Sequence, residues 1–476
     1  MFRMLPIAFL VTCASTVLAD INVGSDGSDG VFNPSGNVTV DLGLAIPGDA
    51  LTTPGSGNGV YDAARWVVCF KYTSVNIASG RTVTFTNHPS RAPVVWLVQS
   101  TVTIGGTISL DGAVGNSVFS PIAYSEPGPG GFRGGRRGAN TSLESGGLGP
   151  GGANRGATGS GGTGGSFASM GGLGPSGGAV PSPVYGNAAI LPVIGGSGGS
   201  GTSVGGGGGG AGGGAILIAA NSSIVVSGFI TANGGGASGG GVGANGGCGS
   251  GGAIRLVSDS ISGNGVIRAL GGSGNGAIGG LGRIRIDANS NQLTSVGEPP
   301  WASGAPIFVF APLGVPKLRA AQITDGAGSH QVPVDPRANV LHVPSADVSI
   351  DSCEPVPVTI EAQNVPVPPA ATTVDVRVVA ASGPTNVFPA SFVSGDQTLS
   401  TWTANVTFVP GTSAVQVRAT FPPVTLASLE SKRVPRGLRT LTGERIVRVE
   451  YGGTTGGAGR AIYVTEKGQR IPVDVR

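Results

Sequence analysis

Charged and aromatic side chains are scarce in this chain of 476 residues. Asp, Glu, Lys and Arg together make up only 11% of the sequence, and aromatic residues only 5%. From position 139 to position 252, the only charged residues are Glu144 and Arg155. Acid and base catalysis needs titratable side chains held close together, so this composition argues against an active site there. The net charge of +3, with scattered arginines, also argues against a nucleic-acid-binding surface.

Cysteine and histidine are too few and too far apart for a metal centre or a disulfide framework. The chain contains four cysteines and three histidines. Cleavage of a leader at Ala19 would leave Cys69, Cys248 and Cys353, an odd number that cannot be fully paired. No CxxC pair and no Cys/His spacing typical of zinc sites is present. We therefore predict no metal site and no cofactor.

The first nineteen residues have the features of a secretory signal peptide. Met1-Phe2-Arg3 provides a short positive start, residues 5–17 are mostly apolar, and small residues precede a cleavage site at Ala19. The apolar run is shorter than the roughly 20 residues that cross a bilayer, and no later segment is long and apolar enough. We predict a mature chain without a transmembrane segment, which is secreted or lies at the cell surface or in the periplasm.

Short apolar strands recur in an internal repeat. Segments 213–234 and 251–271 both begin with Gly-Gly-Ala-Ile, continue through alternating strands and end in a short strand before a glycine turn. A shorter copy begins at Leu281, and segment 94–112 has the same order of strands and turns. Such a unit buries its apolar face only by stacking on its neighbours. The pattern therefore favours a parallel β-helix over an antiparallel sandwich for these residues.

Glycine saturates the middle of the chain: 59 of the 89 glycines lie between Gly128 and Gly282. Several share a three-residue register, namely Gly156, Gly159, Gly162, Gly165, Gly171, Gly174 and Gly177. A period of three matches an extended threefold helix of the polyproline-II type. Two interpretations stay open. The tract is either a disordered linker, since ordering costs about 1–2 kcal/mol per residue, or a packed layer of threefold polyglycine helices, which its low charge favours.

The composition changes after residue 312. Glycine thins, proline rises, and strands with one apolar and one polar face appear, as in segments 374–379 and 414–419. This pattern is typical of an antiparallel β-sandwich, and we expect an immunoglobulin- or fibronectin-like module with Trp402 in its core. The last stretch is basic and contains a plausible hairpin.

The Ser-Asp-Gly-rich segment 24–30, the strands of 75–112 and the Gly-Gly-Ala-Ile repeats together resemble a group of exported, glycine-rich parallel β-helix proteins of bacteria. The resemblance covers about residues 20–290. It implies a parallel β-helix fold and export from the cell, and it implies no enzymatic activity. A more remote likeness to the pectate-lyase-like β-helix superfamily implies contact with polysaccharide, which many members of that superfamily bind or cut.

The charged residues of the predicted solenoid form no recognisable catalytic set. Polysaccharide enzymes need paired carboxylates, or a basic residue beside carboxylate-held calcium. Arg255 and Arg268 lie on alternating strands and are expected to point outward as solubilising groups, whereas Arg283 and Arg285 share a face suited to an acidic glycan. Acidic residues that the solenoid could offer beside them include Asp111, Asp259 and Asp287. Asp26 and Asp29 lack the further carboxylates of a tight calcium site and are interpreted as a solvated turn.

We therefore predict an all-β protein in which a glycine-rich parallel β-helix is followed by an immunoglobulin/fibronectin-like β-sandwich. Its function is predicted to be structural or adhesive, at the surface or in the matrix, with no catalytic, cofactor or metal site and with polysaccharide or envelope components as partners. The alternative is a carbohydrate-active β-helix protein that binds or cleaves polysaccharide. The predicted boundaries are 1–19 (signal peptide), 20–126 (N-terminal part of the solenoid), 127–214 (glycine-rich insert), 215–312 (solenoid coils), 313–425 (β-sandwich) and 426–476 (basic hairpin or tail).

Overall fold

The computed structural model describes the chain in segments separated by short gaps. The described residues are 21–117, 124–137, 146–153, 161–174, 182–202, 206–239, 245–274, 276–306, 309–310, 316–332, 348–352, 354–370, 372–380, 385–409, 413–420, 444–452, 459–467 and 469–475. Within them the regular secondary structure consists of strands and one 3-10 turn at Leu42–Leu44, and it includes no α-helix. The all-β prediction is thereby confirmed. None of the described residues form a helix with the length and apolar character needed to cross a membrane. The predicted signal peptide, residues 1–19, lies outside the described residues.

Fifteen strands make up the first part of the fold. They are β1 (Gly30–Phe32), β2 (Val38–Asp41), β3 (Ile46–Pro47), β4 (Val60–Asp62), β5 (Val67–Ile77), β6 (Thr82–Thr86), β7 (Val94–Val98), β8 (Thr101–Ile104), β9 (Thr107–Ser109), β10 (Ala215–Val226), β11 (Phe229–Thr231), β12 (Ala253–Gly263), β13 (Val266–Arg268), β14 (Arg283–Leu293) and β15 (Ala302–Gly304). They form two sheets, because β5, β10 and β12 are each followed by a turn and a short strand that joins the other sheet, whereas β15, which follows β14, stays in the same sheet.

The large sheet has the order β15-β14-β12-β10-β7-β5-β4-β3, with β8 bridging β5 and β10 and with β1 beside β5. The small sheet has the order β13-β11-β9-β6-β2. Neighbouring strands are parallel throughout, except that β4 is antiparallel to β5. Ile216 pairs with Ile254, and Ile254 pairs with Ile284. The repeats aligned in the sequence therefore lie side by side, with each residue next to its equivalent.

The inward faces of the two sheets enclose one apolar core. Alternate residues of β10, β12 and β14 point into it, and they meet Ile108, Ile230 and Ile267 of the small sheet. These side chains are completely or almost completely buried. Full burial of one such side chain stabilises the fold by about 1.5–3 kcal/mol, so stacked Ile, Val and Leu columns are the main source of stability.

The opposite face of the large sheet is also buried, along the N-terminal half of its long strands. Cys69, Leu97 and Leu217 lie there with no exposed surface. They are covered by residues from distant parts of the chain, including Ile21, Ile190 and Val309. Covering segments thus turn half of the sheet into a second apolar layer.

Glycine-rich segments beside the two sheets are joined by backbone hydrogen bonds. Along residues 208–214, which are buried, the direction of the amide donors repeats every third residue, at N–O distances of 2.7–3.0 Å. The amides of Gly208, Ala211 and Gly214 donate to the carbonyls of Asn116, Ala113 and Leu110; those of Gly209 and Gly212 donate to Gly135 and Phe132; and those of Gly210 and Gly213 donate to Gly247 and Ser250. This segment therefore has neighbours in three directions, as a threefold extended helix requires. We call the bonded glycine-rich segments, residues 110–116, 128–135, 195–202, 207–214, 232–238 and 246–252, the glycine lattice.

A second core lies in the antiparallel part of the chain. Its strands are β16 (Lys317–Asp325), β17 (Gly328–Gln331), β18 (Val356–Gln363), β19 (Thr373–Ala380), β20 (Thr385–Gly395), β21 (Ser400–Val406) and β22 (Ser413–Thr420), in the order β17-β16-β18-β21-β20-β19-β22. Trp402 is buried in this core and donates its indole N–H to the Ser400 hydroxyl. A separate antiparallel sheet contains β23 (Ile446–Gly452), β24 (Gly459–Thr465) and β25 (Arg470–Val475).

Candidate functional site

Three of the charged residues singled out in the sequence meet on the covered face of the large sheet. Asp287 lies between Arg255 and Arg285, at N–O distances of 2.8 Å to each. Arg255 also donates to the Val309 carbonyl, and Arg285 donates to the Ala188 carbonyl. The side chains of Arg255 and Asp287 are 4% and 1% exposed, and burial lowers the pKa of Arg255. The expectation that Arg255 points to solvent is therefore wrong, because segments from elsewhere in the chain cover that face.

Two further arginines that the sequence singled out are also engaged. Arg283 donates to the Tyr185 carbonyl at 3.0 Å, and its guanidinium lies 5.4 Å from the centre of the Phe167 ring. Arg268 is 43% exposed and pairs with Glu298, as an outward solubilising residue does. The expected glycan-binding pair, Arg283 and Arg285, instead holds covering segments onto β14.

Two further carboxylates are engaged by polar groups. Asp259 accepts a hydrogen bond from the Asn289 amide. Asp111 accepts one from the backbone N–H of Asn233 and one from the Thr231 hydroxyl. Neither residue lies in the Arg255–Asp287–Arg285 cluster.

The Ser-Asp-Gly-rich segment is held by its aspartates. Asp26 pairs with the ammonium of Lys71, whose side chain is completely buried, at 2.9 Å. Asp29 accepts the backbone N–H groups of Gly57, Gly59 and Lys71. Burial acts to raise the pKa of Asp26, but hydrogen bonds from Ser28 and the charge of Lys71 outweigh it and lower that pKa. Asp26 is exposed and Ser28 and Asp29 form a turn, in agreement with the interpretation as a solvated turn, but the two aspartates also fasten the N-terminal segment to β5.

The described residues show no grouping that could hold a metal ion by three or more His, Cys, Asp or Glu side chains. Cys69 and Cys248 are both buried and unpaired with each other, and burial raises the pKa of both thiols. Cys353 lies outside the described residues.

On the same face of the large sheet, the C-terminal half of the long strands presents a regular, uncharged polar surface. Two rows of residues run across consecutive strands, opposite the buried Val102, Ile224 and Ile261. The first row is Thr101, Ser223, Ser260 and Ser290, and the second row is Asn76, Thr103, Val225, Ser262 and Gln292. We call these nine residues the hydroxyl face.

The hydroxyl face is open to solvent. Asn76, Thr101, Thr103 and Gln292 are exposed, and the others are partly exposed. Parallel strands lie about 4.8 Å apart, and alternate residues of a strand lie about 6.6 Å apart, so the rows form a regular grid. Its signal in the sequence is the alternation of Ser and Thr with Val and Ile, a pattern that by itself predicts strands and no binding surface.

No protein-family model matches this chain, and no curated protein and no solved structure is similar to it.

Proposed function

We propose that this chain is an exported structural or adhesive protein of the cell surface or extracellular matrix, and that it is not an enzyme. In this proposal the two parallel sheets are the faces of a β-helix, and the glycine lattice is a layer of threefold polyglycine helices packed beside it. The antiparallel part is an immunoglobulin- or fibronectin-like module. The observation that carries the proposal is the period-three hydrogen bonding of residues 208–214.

The glycine lattice supports a mechanical role. Ordering a residue costs about 1–2 kcal/mol of backbone entropy, and glycine loses the most conformational freedom. Backbone hydrogen bonds to several neighbouring segments offset this cost without any side chain. A chain in which so many residues pack through their backbones is rigid and has few reactive side chains.

The use of charged residues supports a role without catalysis. Asp287, Arg255 and Arg285 satisfy one another and two backbone carbonyls. Buried ion pairs of this kind hold segments in one arrangement, and here they join strands to covering segments. We infer that these groups act in assembly of the fold.

The hydroxyl face is the surface that we propose for adhesion. Its residues belong to adjacent parallel strands, and none of the nine is charged. Hydroxyl and amide groups both donate and accept hydrogen bonds, which suits a neutral polysaccharide with a regular repeat. Charge complementarity gives no reason to expect an acidic polysaccharide there.

Co-sedimentation of the full chain with cellulose, chitin and pectin tests this function, together with an assay for new reducing chain ends. We expect retention on a neutral polymer and no new chain ends. Thr103→Arg, which places a charge in the grid, should lower retention severalfold. The matched variant Thr107→Arg, on the small sheet, should leave retention unchanged. New chain ends from a purified sample would contradict the non-enzymatic role, and equal effects of both variants would contradict the assignment of the hydroxyl face.

A further inference from the structure

A cleft of about 330 Å³ opens at the edge of the fold where β1, β2 and the 3-10 turn lie. Its floor is formed by residues of β5, the first long strand of the large sheet. Val31 and Leu44 at the rim are 64% and 60% exposed. The volume lies at the lower end of the range for small-molecule sites, so the cleft has room for one small group.

Aromatic rings are concentrated at this cleft. Phe32, Phe70 and Tyr72 line it, in a chain with only 5% aromatic residues. The centre of the Tyr72 ring lies 5.2 Å from that of Phe32 and 5.6 Å from that of Phe70. Phe32 is partly exposed, while Phe70 and Tyr72 are packed into the core behind it. Phe32 is therefore the aromatic ring that the cleft leaves accessible, and Tyr72 and Phe70 support it from the core.

The charge of the cleft has one sign. Asp29 and Asp41 line it, and neither Lys nor Arg does. Asp41 accepts hydrogen bonds from the Gly43 N–H and the Thr86 hydroxyl through one carboxylate oxygen, Oδ1. Asp29 is bound by backbone N–H groups alone. Within the described part of the chain, neither carboxylate has a cationic side chain as a salt-bridge partner.

We propose that this cleft binds a small organic ammonium group, of the kind that choline carries. The partly exposed Phe32 ring attracts a cation through its negative π density, and the carboxylates of Asp29 and Asp41 supply the opposite charge at short range. The apolar rim of Val31 and Leu44 accommodates the carbon atoms around the nitrogen. An anion is repelled by the same carboxylates, and a neutral molecule of equal shape gains only the apolar contacts. This cleft is separate from the hydroxyl face, so the inference does not depend on the function proposed above.

Isothermal titration calorimetry of the full chain tests the proposal with two ligands of equal shape. One is choline, and the other is its uncharged analogue, in which a tert-butyl group replaces the trimethylammonium group. We expect choline to bind at least roughly tenfold more tightly and its affinity to fall with added salt. Glucosamine and glucose form a second pair that differs in an ammonium group, and we expect glucosamine to bind more tightly. Binding to phosphatidylcholine vesicles would identify a lipid headgroup as the source of the ammonium group, and binding to choline alone would identify a soluble compound.

Asp41→Asn is the decisive variant, because the amide oxygen keeps the acceptor while the charge is lost. Asp111→Asn is its matched control, since Asp111 also accepts one backbone N–H and one threonine hydroxyl. We expect Asp41→Asn to weaken choline binding roughly tenfold and Asp111→Asn to leave it unchanged. Equal affinity for choline and its uncharged analogue, absence of binding by both choline and glucosamine, or equal effects of the two variants would overturn the proposal.

Discussion

Asp287 is the centre of one cluster of buried charge. Its carboxylate pairs with the Arg255 guanidinium, which has almost no contact with solvent, and it also holds Arg285. A buried ion pair contributes little relative to an apolar replacement, but the loss of one partner leaves a desolvated charge without compensation. Replacing all three side chains by apolar ones should therefore change stability little, whereas replacing one of them alone should be strongly destabilising.

Asp287→Asn should lower the free energy of unfolding by about 3–5 kcal/mol. The amide keeps the shape of the side chain but removes the charge that Arg255 needs. Urea denaturation followed by circular dichroism measures the change. The control is Asp259→Asn, whose carboxylate contacts only the Asn289 amide and which should change stability by less than about 0.5 kcal/mol. Equal losses in the two variants would show that the charge of Asp287 has no special role.

The alternation of the strands could predict that Arg255, Arg285 and Asp287 share one face of the sheet. It could not predict that the face is covered. The cover comes from Val309 and from residues near Tyr185, far from β12 and β14 in sequence. No local pattern records such a contact, so residues that resemble ordinary surface arginines prove to be internal.

At the scale of elements, the glycine lattice depends on the close approach of backbones. A Cβ atom added at Gly252 would overlap the carbonyl oxygen of Gly214, and one at Gly247 would overlap that of Thr163. Backbone atoms cannot move aside as a flexible side chain does. Each of these glycines is therefore required by the spacing of its neighbours and not by a turn.

Gly252→Ala should destabilise the fold by about 1–3 kcal/mol or more, which is the usual cost of overpacking. The matched variant is Gly36→Ala, where an added Cβ meets no atom within 4 Å. Thermal unfolding of both variants measures the difference. A melting temperature for Gly252→Ala equal to that of Gly36→Ala would contradict the close packing of the lattice.

The sequence could indicate threefold order in the glycine tract but not its place. The three-residue register that we noted runs from Gly156 to Gly177, and part of it lies outside the described residues. The clearest period of three occurs at residues 208–214, where six of seven residues are glycine. Apart from Ala211, the residues that repeat every third position are glycines like their neighbours. The period lies in the direction in which the N–H groups point, so the sequence of residue types does not show it.

At the scale of the whole molecule, the first part of the fold is a stack in which strands and glycine segments follow each other along the chain. Ala215 at the start of β10 donates to Pro129, and Gly213, two residues before it, donates to Ser250. Strand pairing therefore passes directly into lattice bonding. The all-β class followed from alternation and turn residues, whereas the joining of sheet and lattice needed the full set of contacts.

Hydrogen exchange should show this continuity. We expect the amides of residues 208–214 to exchange as slowly as those of β10, because both are buried and hydrogen-bonded. The exposed residues Ala63 and Ala64 provide the fast reference. Mass spectrometry after exchange at neutral pH measures the rates. Fast exchange at residues 208–214 would instead support a disordered linker.

Two central segments of the lattice have no ionisable side chains, and this has a consequence for the conditions that the protein tolerates. Residues 195–202 and 207–214 include no side chain that gains or loses a proton and no ion pair that salt screens. Their hydrogen bonds keep the same partners in acid, in base and in brine. The exported protein that we propose has no buffered cytoplasm around it, and these segments keep their structure when the pH or the salt concentration of the surroundings changes.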